Sequence, residues 1–165
     1  MECKANMSSI EFIWSFISRI DRVQAGKEIE ASFLFDRDLL AQLGAPRDQE
    51  FVPEGLILEC CAQSSGFILL AELGNLDFVP VLARVSEAEF YRALEVGKEA
   101  QALCEEVHRN ENGAEFQCEV REKDTREIIA KSKLLLGFTP LDRVPDGGQG
   151  IRTHLERLKR QLQLA

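Results

Sequence analysis

Histidine is almost missing from this chain of 165 residues, with only His108 and His154 present. Neither stands near cysteine at the spacing of zinc ligands, and the five cysteines contain no CxxC pair, so no metal is expected and none of the usual zinc motifs can form. No cofactor is expected either. An odd cysteine count, with Cys60 and Cys61 adjacent, argues against a disulfide framework and for reduced, mostly buried thiols. Positive charge is in deficit, at 20 Lys and Arg against 28 Asp and Glu, and the net charge of -8 excludes an electrostatic grip on a phosphate backbone. Nucleic acid is therefore not an expected partner. No basic and then apolar leader opens the sequence, and its longest apolar stretch is interrupted by Glu59, Gln63, Ser64, Ser65 and Glu72. A cytoplasmic protein without a membrane span is the expectation. Repeats and low-complexity segments are also lacking.

What is present begins with that apolar stretch, Phe51 to Leu73 (FVPEGLILECCAQSSGFILLAEL). After Pro53 and Gly55 its apolar side chains fall on nearly every helical face, the pattern of a helix surrounded by protein. Glu59 and Gln63, four apart, share one face, and Gly66 continues their stripe. A carboxylate among Leu56, Ile57, Leu58, Cys60 and Cys61 is deprived of hydration, which makes Glu59 the first candidate for chemistry. The small residues around it, Ala62, Ser64, Ser65 and Gly66, allow either a closely packed sheet or a narrow channel.

The flanks read as strands. Before the long helix, Met7 to Ser18 suggests a short helix, Ser18 to Val23 the start of an edge strand, and Lys27 to Asp36 a half-buried strand with Ile29, Ala31, Phe33 and Phe35 inward. Asp38 to Glu50 holds a possible helical turn and then a loop. After the helix, Gly74-Asn75 supplies a stop. Asp77 to Ser86 is β-rich but contains Pro80, which places it at an edge or a bulge. Glu87 to Gly97 reads as a connection. Three strands follow, Glu99 to Arg109, Ala114 to Glu122 and Arg126 to Phe138, with turns at Asn112-Gly113 and Asp124-Thr125. One domain is expected over residues 1–139, a proline- and glycine-rich linker over 140–150, and an amphipathic helix over 151–165 with Ile151, Leu155, Leu158 and Leu162 on one stripe. That helix fits best as a surface element packed back on the domain; a dimer contact or a cationic landing strip for an acidic carrier protein is the sharper alternative.

An apolar helix followed by antiparallel strands suits an α+β fold in which a curved sheet wraps the helix. At this point the run FVPEGLILECCAQSSGFIL resembles the helix entry of the 3-hydroxyacyl-ACP dehydratases of fatty-acid synthesis, the FabZ/FabA group of hotdog folds. Their motif reads Pro-Gly-x-x-x-x-Glu-x-x-x-Gln, and Pro53, Glu59 and Gln63 fall on its proline, glutamate and glutamine. Ser18 to Val23 is loosely similar to the family's Val-Asp-Arg-Val strand, and Ala83 to Val85 through Phe90 and Gly97 to the strand and linker beyond the helix. Two positions depart from the pattern. Ala45 stands where the family's catalytic histidine would, and Glu54 replaces the motif glycine, with Gly55 one residue further on.

The resemblance implies a hotdog fold and a protein that acts on, or binds, acyl thioesters carried by acyl carrier protein or coenzyme A. It implies a homodimer, or a hetero-oligomer with a homologue. Glu59 is the implied catalytic residue; Phe51, Gly55, Gln63, Gly66 and Phe90 are the implied substrate-binding residues. Dehydration of a 3-hydroxyacyl thioester needs a base for the C2 proton and an acid for the leaving hydroxyl. With alanine in the histidine position, two alternatives stand beside the dehydratase: a thioesterase in which Glu59 activates water or attacks the carbonyl, and a non-catalytic subunit that pairs with an active homologue.

Overall fold

A computed structural model of the chain describes residues 16–73 and 78–143, together with Thr153, Glu156 and Arg160. The element order is β1 (Ile17–Gln24), β2 (Glu28–Leu34), α1 (Arg37–Gln42), α2 (Glu54–Leu73), β3 (Phe78–Phe90), β4 (Glu99–Asn110), β5 (Gly113–Glu122) and β6 (Ile128–Pro140). A 3-10 turn over Leu141–Arg143 follows. The strands form one antiparallel sheet of six in the order β1-β2-β4-β5-β6-β3.

The strands' alternation decides which face meets the helix. Ile29, Ala31 and Phe33 of β2, Ala100, Ala102 and Cys104 of β4, and Ala114, Phe116, Cys118 and Val120 of β5 are buried beneath α2. Alanines and cysteines in the middle strands leave room for the helix to approach closely. In α2 itself every residue from Cys60 to Leu70 except Gln63 is buried. This is the all-round burial that its sequence predicts, and it arises because α2 packs against all six strands of the sheet. By length and apolarity α2 could cross a membrane, but here it is the core of the domain.

The expected elements are in place, with three corrections. The strand expected to end near Ser86 runs on to Phe90, because β6 continues to pair with it as far as Ala130 and Lys133 binds Glu87 at 2.9 Å. Its Pro80 is accommodated as anticipated, at a sheet edge, and two register shifts interrupt the ladder further along. The turn between β4 and β5 is Glu111-Asn112, not Asn112-Gly113. Asn110 and Gly113 are paired, and the Asn110 side chain accepts from the backbone N–H of Asn112 at 2.8 Å and of Gly113 at 3.2 Å. The last strand starts at Ile128, two residues later than expected, since Arg126 turns through φ 63. The possible helical turn is α1, whose N-terminus is capped by Asp36 accepting from the Leu39 N–H at 2.8 Å. The expected helix over Met7–Ser18 lies outside the described residues except for its last three: Phe16 is irregular, and Ile17 and Ser18 already belong to β1. Gly74-Asn75, residues 144–150 of the expected linker and most of residues 151–165 also lie outside them.

Candidate functional site

The polar pair of α2 forms as its spacing requires. Gln63 donates from Nε2 to Oε1 of Glu59 at 2.9 Å. The amide oxygen of Gln63 in turn accepts the backbone N–H of Phe16 at 2.8 Å, just before β1 begins. An amide bound at both ends cannot turn over freely, so the orientation of the Glu59 carboxylate is set by a two-bond chain anchored in the backbone. Both side chains are half-buried in a helix otherwise sealed by apolar neighbours. The charge of Glu59 acts on the residue beside it: burial, and then that charge, push the Cys60 thiol well above its ordinary value. Cys60 is therefore a packing residue and not a nucleophile.

A second feature lies at the start of α2. Backbone bonds from Val52 to Leu94 (2.8 Å) and from Val96 to Glu50 (2.9 Å) strap the helix entry to the segment after β3, with Phe51 bridged to Glu95. This strap brings Phe51 beside Phe90, and the two line an open pocket of about 480 Å³ together with Pro53, Ile57, Tyr91 and Arg92. Phe51 is 44% exposed and Tyr91 55%, a large aromatic surface left uncovered. Arg92 is held by Glu127 and by the buried Glu122, the latter at 3.7 Å.

The expected site residues are thus distributed over two places. Glu59 and Gln63 are together; Phe51 and Phe90 are together. The two pairs do not meet within one chain: Ile57 faces the pocket, and Glu59, two residues on, points roughly 200° around the helix. Gly55 sits exposed in the first turn of α2, where a Cβ would meet nothing within 4 Å. Gly66 is buried, and a Cβ there would stand 3.6 Å from Pro80 of β3. Its position belongs to helix-to-sheet packing. Ala45 is half-buried against the core, its N–H bonded to the Leu40 carbonyl at 2.9 Å behind Gly44, which takes a φ of 88°.

His108 is exposed on β4 opposite Glu115. Its neighbour Arg109 binds Glu72 at 2.6 Å, which places this end of β4 about 20 Å along α2 from Glu59. His154 lies outside the described residues. Among the described residues no group of His, Cys, Asp and Glu has the geometry to hold a metal ion. Nothing in the sequence points to Phe16 as an anchor, because the group that binds is a backbone N–H. Tyr91 and Arg92 fall in the stretch whose sequence reads as a connection, and the available clue is an aromatic pair followed by arginine at a strand end.

No family model and no curated protein sequence matches this chain. Solved structures do. The dehydratase heterocomplex ApeI:P of Xenorhabdus doucetiae is similar with a TM-score of 0.64 at 14% identity, covering 77% of this chain and 84% of that one. A Streptococcus mutans protein bound to acetyl CoA, smu.793, gives 0.59 at 16% identity, covering 81% and 98%. A hypothetical thioesterase protein of Streptococcus pneumoniae, solved with coenzyme A, gives 0.57 at 12% identity, covering 74% and 85%. At such identities the likeness is one of fold, and the fold is the hotdog: an antiparallel sheet of six with one long helix.

Proposed function

We propose that this hotdog protein binds acyl thioesters and acts on them through Glu59, by hydrolysis when it works alone and by dehydratase-like chemistry where a partner supplies the base. The observation that carries the proposal is the Glu59–Gln63–Phe16 chain: a half-buried carboxylate, oriented by an amide that is itself anchored, on the central helix of this fold. Structures of similar fold include proteins named for dehydration and proteins solved with coenzyme A or acetyl CoA. Acyl carrier protein or coenzyme A is the proposed carrier.

Two reactions are compatible with a carboxylate here. In dehydration Glu59 would protonate the leaving hydroxyl while a base removes the C2 proton. In thioester hydrolysis Glu59 would take a proton from water, the hydroxide would attack the thioester carbon, and collapse would expel the thiolate with that proton. One feature favours hydrolysis: the resemblance sets Ala45 in the place of the family histidine, and His108 sits at the other end of α2, so no histidine base among the described residues accompanies Glu59. Lack of one partner of an acid-base pair costs a factor of about 10²–10⁴ in rate. A homologous subunit that supplies the base would restore dehydration, and a chain that only shapes its partner's site would bind without turnover.

Pairing has its own support. β3 is a sheet edge, and its Val81 and Val85 are exposed at 48% and 37%. An uncovered apolar edge is a ready surface for a second copy. Two copies would also provide a way for the Phe51 and Phe90 pocket of one chain to serve the Glu59 of the other.

Purified protein should be assayed for hydration of a crotonyl thioester and for release of thiol from saturated acyl thioesters, in parallel with Glu59→Gln. Thiol release abolished by the substitution is the expected outcome. Hydration with the same sensitivity would instead establish the dehydratase. Turnover of either kind that survives Glu59→Gln would overturn the assignment of this residue.

A further inference from the structure

Beneath α2, on the side away from the uses proposed for Glu59, lies a group of thiols with no part in that chemistry. Cys104 of β4 and Cys118 of β5 are directly opposite each other in an antiparallel pair, and both are buried against the helix. Ile29 and Ser132 extend the same cross-strand row on either side. From above, α2 lowers Cys61 and Ser65 onto the row: the Cys104 thiol reaches the Cys61 carbonyl at 3.7 Å, and the Ser65 hydroxyl meets Cys118 Sγ at 3.5 Å. All four described cysteines are free.

We propose that Cys104 and Cys118 are a redox modification site, at which peroxide forms a disulfide across β4 and β5 with Cys118 as the attacking thiol and Cys104 as the resolving one. Register gives the first argument. Opposed residues in antiparallel strands have Cα atoms about 4.5–5.5 Å apart, within the roughly 4.4–6.8 Å that a disulfide requires, and these two side chains share a face. Cys61, from another layer, lacks this fixed spacing. Polar surroundings give the second. Contacts from the Cys104 and Cys61 thiols, and then from Ser65, hold Cys118 well below the usual thiol range in spite of burial, whereas burial foremost pushes Cys104 up. Geometry agrees with this: the Cys104 thiol is spent as a donor to the Cys61 carbonyl at 3.7 Å, whereas Cys118 Sγ has the Ser65 hydroxyl beside it at 3.5 Å, which makes Cys118 the one to attack peroxide.

The balance of the reaction is simple. The Cys118 thiolate attacks one peroxide oxygen, the O–O bond breaks, and the departing hydroxide leaves as water after taking a proton. Cys118 is then a sulfenic acid. The Cys104 sulfur attacks it, the S–O bond breaks, and the Cys104 proton leaves with that oxygen as a second water. Two electrons pass from the two thiols to peroxide, and a dithiol reductant reverses the change. Because both sulfurs are buried, local opening of the sheet beneath α2 sets the pace.

The test uses the whole chain, treated with hydrogen peroxide, unfolded without reductant and mapped by peptide mass spectrometry. The expected product lacks two hydrogens, has lost two of its five titratable thiols, and joins the Cys104 and Cys118 peptides. In Cys104→Ser the sulfenic acid should persist at Cys118 and be captured by dimedone; in Cys118→Ser no dimedone adduct should form at Cys104. Survival of all five thiols in the wild type, a cross-link through Cys60, Cys61 or Cys3, or a dimedone adduct on Cys104 would each overturn the proposal.

Discussion

At the scale of single residues, neighbours decide more than residue type does. Asp21 on edge strand β1 illustrates this: burial works against its charge, but bonds from Ser32 (2.5 Å), Gln101 (3.0 Å) and Arg19 (2.6 Å) outweigh it and hold the carboxyl below its ordinary value of 3.8. A lowered folded value means stability that is complete above the unfolded value and lost as pH falls through the folded one. Acid titration of unfolding should therefore show a decline below about pH 4 that is flatter in Asp21→Asn. Equal slopes in the two proteins would show that the network does not hold the charge. Gly113 makes a different case, since a Cβ there would stand 2.4 Å from the Leu136 carbonyl oxygen, a backbone atom that cannot swing away. Gly113→Ala should destabilise the protein by about 1–3 kcal/mol in denaturant unfolding. An unchanged midpoint would mean that β5 and β6 separate more easily than their pairing indicates. The sequence marks Gly113 only as half of a turn and Asp21 only as part of a strand, because the roles found here involve Leu136 and Gln101, far away along the chain.

The elements themselves were largely legible. Alternation in β2 and β5 and the all-round apolar pattern of α2 are local signals, and burial follows them except at Ser32 of β2, which alternation places outward but which is buried and donates to Asp21. Misplaced boundaries share a physical cause, which is that cross-strand pairing carried β3 past its apolar residues to Phe90 and side-chain capping by Asn110 moved a turn by one residue. The Glu59–Gln63 contact followed from helical spacing, whereas its anchor on Phe16 and the separate pocket at Phe51 and Phe90 depended on tertiary packing. Since α2 is held chiefly by burial, Ile68→Ala, at a fully buried position, should cost about 2–5 kcal/mol, read as a lower denaturant midpoint. A loss well below that range would mean that the sheet collapses onto the helix.

For the whole molecule, the sheet places its two edges at β1 and β3, and the apolar one is β3. If two copies join there, Val85→Lys should convert a dimer to a monomer in sedimentation while leaving the thermal unfolding of each chain nearly unchanged. A wild-type protein that sediments as a monomer at micromolar concentration would contradict the pairing, and with it the use of one chain's pocket by the other's Glu59. Acyl-thioester recognition can be tested apart from turnover, because an acyl-coenzyme A analogue with a thioether in place of the thioester can be bound but not consumed. Titration of that analogue into the purified protein by calorimetry is the most direct measurement. Saturable binding, retained by Glu59→Gln and weakened when Phe51 or Phe90 is replaced by Asp, is the predicted result, and absence of binding by the wild-type protein to acyl analogues of any chain length would contradict the account.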